Sequence, residues 1–270
     1  MRATLYMILS VFLLSQCAPQ QAPVTSPEPQ QPTPRPDNKP DSRKNTVTNH
    51  QEQVRTHLPV TLCYLDEVVP GIKVDLKYCG NDNFVGRPIA GYTTGKRAIL
   101  RRDAAQALLR AQKELAQKGL SLLVWDAYRP HRAMRDFFAW SKTSDNLKKA
   151  EFYPNISKQG IYENKYIRRA SEHSWGVAVD VTLIDQNTGK ELDMGGRHDF
   201  LDASSATRYP GLTSEQQANR LLLRDTMNRA GMRNYRKEWW HYFLKEKKNL
   251  IRYDFPLNDT LLPASSPTQP

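Results

Sequence analysis

Two short stretches hold residues whose types and spacing could do metal chemistry. The first is Ser171-Glu172-His173-Ser174-Trp175-Gly176-Val177-Ala178-Val179-Asp180. Asp180 interrupts a β-branched, alternating run that reads as a strand from Gly176 to Ile184. Val179, Val181 and Leu183 share one face of it, and Asp180 shares the other with Ala178, Thr182 and Ile184. An ionised carboxylate so placed is costly unless it gains a partner or a metal. Gly176 lets the chain turn so that His173 can approach it. The competing reading is a salt bridge to one of the many arginines. The second stretch is Glu238-Trp239-Trp240-His241-Tyr242. Its aromatic content favours a strand from Trp239 to Leu244. In a regular strand Glu238 and His241 would face opposite sides, so Glu238 is placed at the strand's entrance, where irregular backbone can aim it at the same site. Together the stretches supply two imidazoles, a ligand carboxylate and a free carboxylate, the inventory of a catalytic zinc site with one open position. His50 and His57 lie in or beside a polar spacer, and His131 and His198 sit in polar surroundings; none is given a role. No His-Glu-x-x-His helix, Gly-x-Ser-x-Gly elbow or P-loop occurs in the sequence.

The elements that must position these residues mix helix and strand. Leu100, Ala104, Leu108, Ala111 and Leu115 recur at helical spacing within Ile99 to Lys118, and Gly119 stands where a C-cap is expected. Leu120 to Trp125 reads as a buried strand, and Pro130 opens a helix whose apolar positions are Met134, Phe137 and Phe138. Thr213 with Gln216 forms the pattern of a capping box before Leu221-Leu222-Leu223, and Gly231 closes that helix. The sum is an α+β fold, a small and mainly antiparallel sheet flanked by helices.

With these residues in view, the sequence resembles the zinc D-alanyl-D-alanine peptidases, through Ser-x-His-x-x-Gly-x-Ala-x-Asp at 171–180 and Glu-x-x-His at 238–241. Within that group it is most similar to the D-Ala-D-Ala dipeptidases of the VanX type. Asp82-Asn83-Phe84-Val85-Gly86-Arg87-Pro88, Trp125-Asp126-Ala127-Tyr128-Arg129-Pro130 and Glu238 to Tyr242 carry the narrower likeness, which runs from about Val68 to Tyr242. The resemblance implies one Zn2+ per domain on His173, Asp180 and His241, with Glu238 as general base and Arg129 stabilising the transition state. It implies that Asp126 orients Arg129, and that Ser171, Tyr92 and Asp199 hold the ends of the dipeptide, Asp199 the ammonium and Ser171 the carboxylate. The implied reaction is hydrolysis of D-Ala-D-Ala to two D-Ala. An envelope carboxypeptidase or endopeptidase acting on peptidoglycan peptides would share the zinc site but need an open groove. A non-catalytic, zinc-stabilised binding module would not need Glu238.

The rest of the chain bears on location. The length of 270 residues allows one ordinary domain with extensions, and the apolar fraction of 39% is low for a compact globule. Met1-Arg2 precedes an apolar run from Leu5 to Leu14, too short to span a bilayer and suited to the h-region of a signal peptide. Leu14-Ser15-Gln16-Cys17 resembles the lipobox of bacterial lipoproteins, with Gln16 where a small residue is usual. Residues 1–17 are therefore expected to be a signal peptide, Cys17 a membrane tether, and the enzyme an exported envelope protein. Residues 18–57, rich in Pro and Gln, read as a disordered spacer; 58–262 as the folded domain; 263–270 as a flexible tail. The net charge of +11 raises nucleic acid as a partner, but no recognition motif is present and export removes the usual partners. What remains is loose attraction to anionic envelope polymers; no protein partner is inferred. Cys63 and Cys79 either pair or stay as two buried thiols, and neither belongs to a Cys-x-x-Cys motif.

Overall fold

The architecture grows outward from one strand that is buried on both faces. The computed structural model describes residues 56–262 apart from 94 and 169; the expected signal peptide, Cys17, the spacer through residue 55 and the tail 263–270 lie outside the described residues. In chain order the elements are β1 (Leu62–Tyr64), α1 (Leu65–Val68), β2 (Lys73–Val74), β3 (Ile99–Arg101), α2 (Arg102–Ala116), β4 (Leu120–Asp126), α3 (His131–Trp140), α4 (Lys149–Phe152), α5 (Lys158–Glu163), β5 (Ala178–Asp185), α6 (Ser214–Arg229), β6 (Met232–Asn234) and β7 (His241–Leu244). β1 and β3 form an antiparallel ribbon, and the other strands form a five-stranded sheet in the order β2-β4-β5-β7-β6. Among the described strand pairs of this sheet, only β2–β4 is parallel. This is the α+β arrangement expected, with α2 packed on β4 and on α6.

Local sequence explains most of these elements. On α2, Ala104, Leu108, Ala111 and Leu115 are fully buried, and Gly119 just beyond its end takes φ +70°, a left-handed conformation that favours glycine. The helix expected from Ile99 starts only at Arg102, because Ile99 to Arg101 pair with Tyr64 to Leu62 as β3. A strand of three residues is too short to show a period that separates it from a helix. Pro130 stands at the N-cap of α3, and Thr213 with Gln216 makes both halves of the capping box that starts α6. The strand expected from Trp239 begins at His241; Trp239 and Trp240 lie in the preceding turn, both 1% exposed. Cys63 is a free thiol whose Sγ lies 3.7 Å from the Leu100 carbonyl, so the Cys63–Cys79 pair considered above is not formed. Burial pushes the Cys63 thiol up to about 11.

Two buried polar side chains fix the long connections. Asn83, fully buried, donates from Nδ2 to the carbonyls of Gly80 (2.8 Å) and Arg87 (2.9 Å), and its Oδ1 accepts from the N–H groups of Val85 and Gly86, each at 3.0 Å. Arg220 of α6, also fully buried, donates to the carbonyls of Met194 (2.6 Å), Ser204 (2.9 Å) and Ala206 (2.8 Å), and so ties the 194–206 loop to the helix. Asn83→Ala would leave these loop groups unsatisfied in the interior, at a cost of ~1–3 kcal/mol. Denaturant unfolding of the variant is expected to show that loss with an unchanged slope; a midpoint equal to the parent's would refute the role of Asn83.

Candidate active site

Sheet register lines up the first residues of the site. Asp180 on β5 pairs with His241 on β7, and Asp126 on β4 pairs with Asp180 after a bulge between Val124 and Asp126. Paired residues on antiparallel strands point to one face. The extra residue of the bulge, Trp125, turns Asp126 onto the face of Asp180. The row Asp126, Asp180, His241 is thus a consequence of pairing.

His173 joins the row from a 3-10 turn, Glu172–Trp175, immediately before β5. Ser171 opens that turn, its Oγ accepting from the His173 N–H at 3.3 Å, and Gly176 closes it at φ +66°. A Cβ at Gly176 would stand 3.0 Å from Leu62 Cδ2 and 3.2 Å from the Arg101 nitrogen, so glycine is required there for space as well as for conformation. The ring's Nδ1 faces the Ala127 carbonyl at 2.7 Å. That nitrogen must therefore carry the hydrogen, which leaves a lone pair on Nε2.

Three donor atoms then converge. His173 Nε2 lies 3.1 Å from His241 Nδ1 and 3.4 Å from Asp180 Oδ1, and His241 Nδ1 lies 2.9 Å from Asp180 Oδ1. A tetrahedral zinc with bonds of ~2.0–2.1 Å places its ligand atoms ~3.3 Å apart. Two imidazole nitrogens and a carboxylate oxygen are also the ligand types zinc takes, so the residues fit a zinc ion by distance and by chemistry.

The electrostatics divide the acids into two kinds. Burial alone would raise the Asp180 carboxyl, but the imidazoles of His173, His198 and His241 gathered around it hold it well below the usual carboxylate range. Glu238 goes the other way: burial, with the charges of Asp180 and Asp199, pushes it well above that range. Asp199 is raised by burial and by Asp180, against opposition from His198 and the Tyr78 hydroxyl. Tyr78 donates to Asp199 Oδ2 at 2.7 Å. Arg129, 8% exposed, donates to Asp126 Oδ2 from Nε (2.9 Å) and Nη2 (2.7 Å), and lies over the rings of Tyr78 and Phe137. The other oxygen of Asp126 accepts from the Tyr92 hydroxyl at 2.5 Å.

These groups surround a cavity of about 190 Å3 whose lining includes His173, Asp180, His241, Glu238, Arg129, Asp199 and Ser171. Glu238 reaches it because the β6–β7 turn, with the Glu238 N–H on the Tyr235 carbonyl (2.9 Å), replaces the strand geometry that would have turned it away. Asp126 and Tyr92 do not line the cavity but stand behind Arg129. Two residues that received no role from the sequence belong to the site. Tyr78 lines the cavity, and His198 Nε2 lies 3.3 Å from Asp180 Oδ2. The one available signal was the acidic neighbour of His198, Asp199; Tyr78 had none.

Residues 59–262 match the peptidase M15 family described as D-ala-D-ala dipeptidase. The chain is 38% identical over 202 residues to the D-alanyl-D-alanine dipeptidase of Enterococcus faecium, covering 74% of this chain and 100% of that relative. It is 40% identical over 196 residues to the enzyme of the same name from Streptomyces coelicolor, covering 72% and 96%. Among solved structures, the LdcB LD-carboxypeptidase aligns at 16% identity over 71% of each chain with a TM-score of 0.38. Since the family match spans almost every described residue and the relatives are covered nearly end to end, the chain belongs to the D-Ala-D-Ala dipeptidase family of M15 metallopeptidases.

Proposed function

We propose that the chain hydrolyses free D-Ala-D-Ala to two D-alanines in this cavity, with one zinc ion held by His173, Asp180 and His241. Zinc, when bound, supplies a Lewis acid that polarises the scissile carbonyl and makes water acidic enough to attack near neutral pH. Glu238 takes the proton of the attacking water on its carboxylate and passes it to the leaving amino group. Its raised proton affinity suits both halves of that transfer. Arg129 faces the negative charge that develops on the carbonyl oxygen; its guanidinium is always charged and is held in place by Asp126 before substrate arrives. A preorganised donor of this kind contributes ~3–4 kcal/mol to lowering the barrier. Asp199 pairs with the substrate ammonium. Ser171, whose oxygen accepts from its own turn, still has its O–H to give to the substrate carboxylate. Tyr92 is read as a brace for Asp126 in place of a substrate contact.

The observation that carries this reading is that Glu238 and the three converging donor atoms line one cavity. A structural metal site needs no buried free carboxylate beside it. The cavity, of about 190 Å3, has room for a small ligand such as a dipeptide.

Three outcomes are expected. His173→Ala and His241→Ala each lose the zinc; elemental analysis finding a full equivalent in both would refute the ligand assignment. Glu238→Ala keeps its zinc and loses kcat by orders of magnitude, since a base is removed and a ligand is not. A near-normal kcat would show that Glu238 is not the base. Finally, kcat/KM for D-Ala-D-Ala should exceed that for a pentapeptide with the same end by more than roughly a hundredfold. The longer peptide replaces the ammonium by an amide and leaves Asp199 a buried unpaired charge, at a cost of ~3–5 kcal/mol. Equal cleavage of the two would instead favour the carboxypeptidase reading.

A further inference from the structure

His198 takes no part in the mechanism above, yet its ring is held as firmly as any ligand. It is 5% exposed and packs between Trp125 and Trp240, with ring centroids 5.1 and 5.6 Å away. Its Nε2 lies 3.3 Å from Asp180 Oδ2, the oxygen not directed at His173 Nε2 and His241 Nδ1. An ionised carboxylate only accepts, so this nitrogen carries a hydrogen and donates it. The nearest rival for Oδ2 is Arg129 Nη2, which stands 3.7 Å away and is already bonded to Asp126 at 2.7 Å. Among the described residues, His198 is the side chain that hydrogen-bonds Oδ2.

The backbone places the ring deliberately. His198 and Asp199 are consecutive, and in an extended chain they would point to opposite sides. Asp199 instead takes φ +58°, a left-handed conformation uncommon for a residue with a side chain. The chain turns there, and both side chains serve one site: Asp199 lines the cavity while His198 reaches Asp180 from behind it.

We propose that His198 is a positioning residue for the metal ligand Asp180, an inference that rests on the zinc reading given above. By holding Oδ2, the imidazole keeps Oδ1 aimed at the two histidine nitrogens and stops the carboxylate from offering both oxygens to the ion. A carboxylate that chelates through both oxygens occupies the position that a catalytic site must keep open. Partners behind a ligand typically change metal affinity by ~10–100-fold.

The test compares the full chain with its H198F and H198Q variants. Phenylalanine fills the aromatic slot and removes the N–H; glutamine keeps an N–H near the same place. The zinc dissociation constant is read by competition with a chromogenic chelator, and melting is followed with and without zinc. H198F is expected to bind zinc ~10–100-fold more weakly, to melt like the parent when metal-free, and to gain less from zinc. H198Q should recover most of the affinity. If H198F does not fold, H198M replaces it in the same comparison. An H198F affinity equal to the parent's, or a loss that H198Q does not repair, would overturn the positioning role. A parent that takes up no zinc, or a His173→Ala variant that keeps it, would overturn the zinc reading and this inference together. A parent that binds zinc through His173 beside an H198F variant of equal affinity would overturn this inference alone.

Discussion

Asp180 sits near the start of β5, the middle strand of the sheet, 2% exposed, in a strand whose residues from Ala178 to Ile184 are all buried. An ionised carboxylate in such a place would cost several kcal/mol if left alone. Much of the surrounding structure serves to offset that cost. The β4 bulge brings Asp126 level with it, Asp126 holds Arg129, and Tyr92 holds Asp126. His173 arrives through a turn that only glycine can close, His241 through strand pairing, and His198 through a left-handed residue. These three backbone features, the bulge, the Gly176 turn and the left-handed Asp199, lead back to this one charge.

The same neighbourhood keeps three carboxyl groups in different states. Asp180 is surrounded by imidazole nitrogens and stays ionised; Glu238 and Asp199 are buried with fewer partners and are pushed towards protonation. Like charges in a shared, poorly solvated space cannot all ionise freely, so the least compensated group holds its proton most strongly. Titratable groups whose surroundings pull them apart are the usual mark of separate ligand and proton-transfer roles. Arg129 stands 3.7 Å from Asp180 and lowers both Glu238 and Asp199, which makes its fixed position as consequential as its charge.

Long periodic elements were legible in the sequence because they declare themselves within a few turns. α2 and α6 fall where apolar spacing and capping residues put them, and β4 and β5 where β-branched runs do. β1, β3 and β6 are three residues each and exist only through partners far along the chain, so no local pattern announced them. The site divides in the same way. His173, Asp180, Glu238 and His241 stood out because acid and imidazole recur at close spacing, and Arg129 because of the resemblance. His198 and Tyr78 lie in loops, and what distinguishes them is contact with Asp180 and Asp199 across 18 and 121 residues of chain. The resemblance puts Tyr92 on the substrate, whereas in the structure its hydroxyl donates to Asp126.

The guanidinium of Arg220 is fully buried and is held by backbone carbonyls of one loop, with burial lowering its pKa to about 10. A charge solvated by loop carbonyls is tolerable only when that loop is already in place. The loop carries His198 and Asp199, while Arg220 comes later on α6 and Glu238 and His241 later still. A nascent chain that has released His173 and Asp180 therefore has neither all three of the converging donor residues nor the clamp that holds the 194–206 loop. The candidate site is complete only when the last quarter of the domain, which carries Arg220, Glu238 and His241, is in place. A partly synthesised chain holds only some of the donor atoms that converge in the finished cavity, so the candidate metal site exists only in the complete fold.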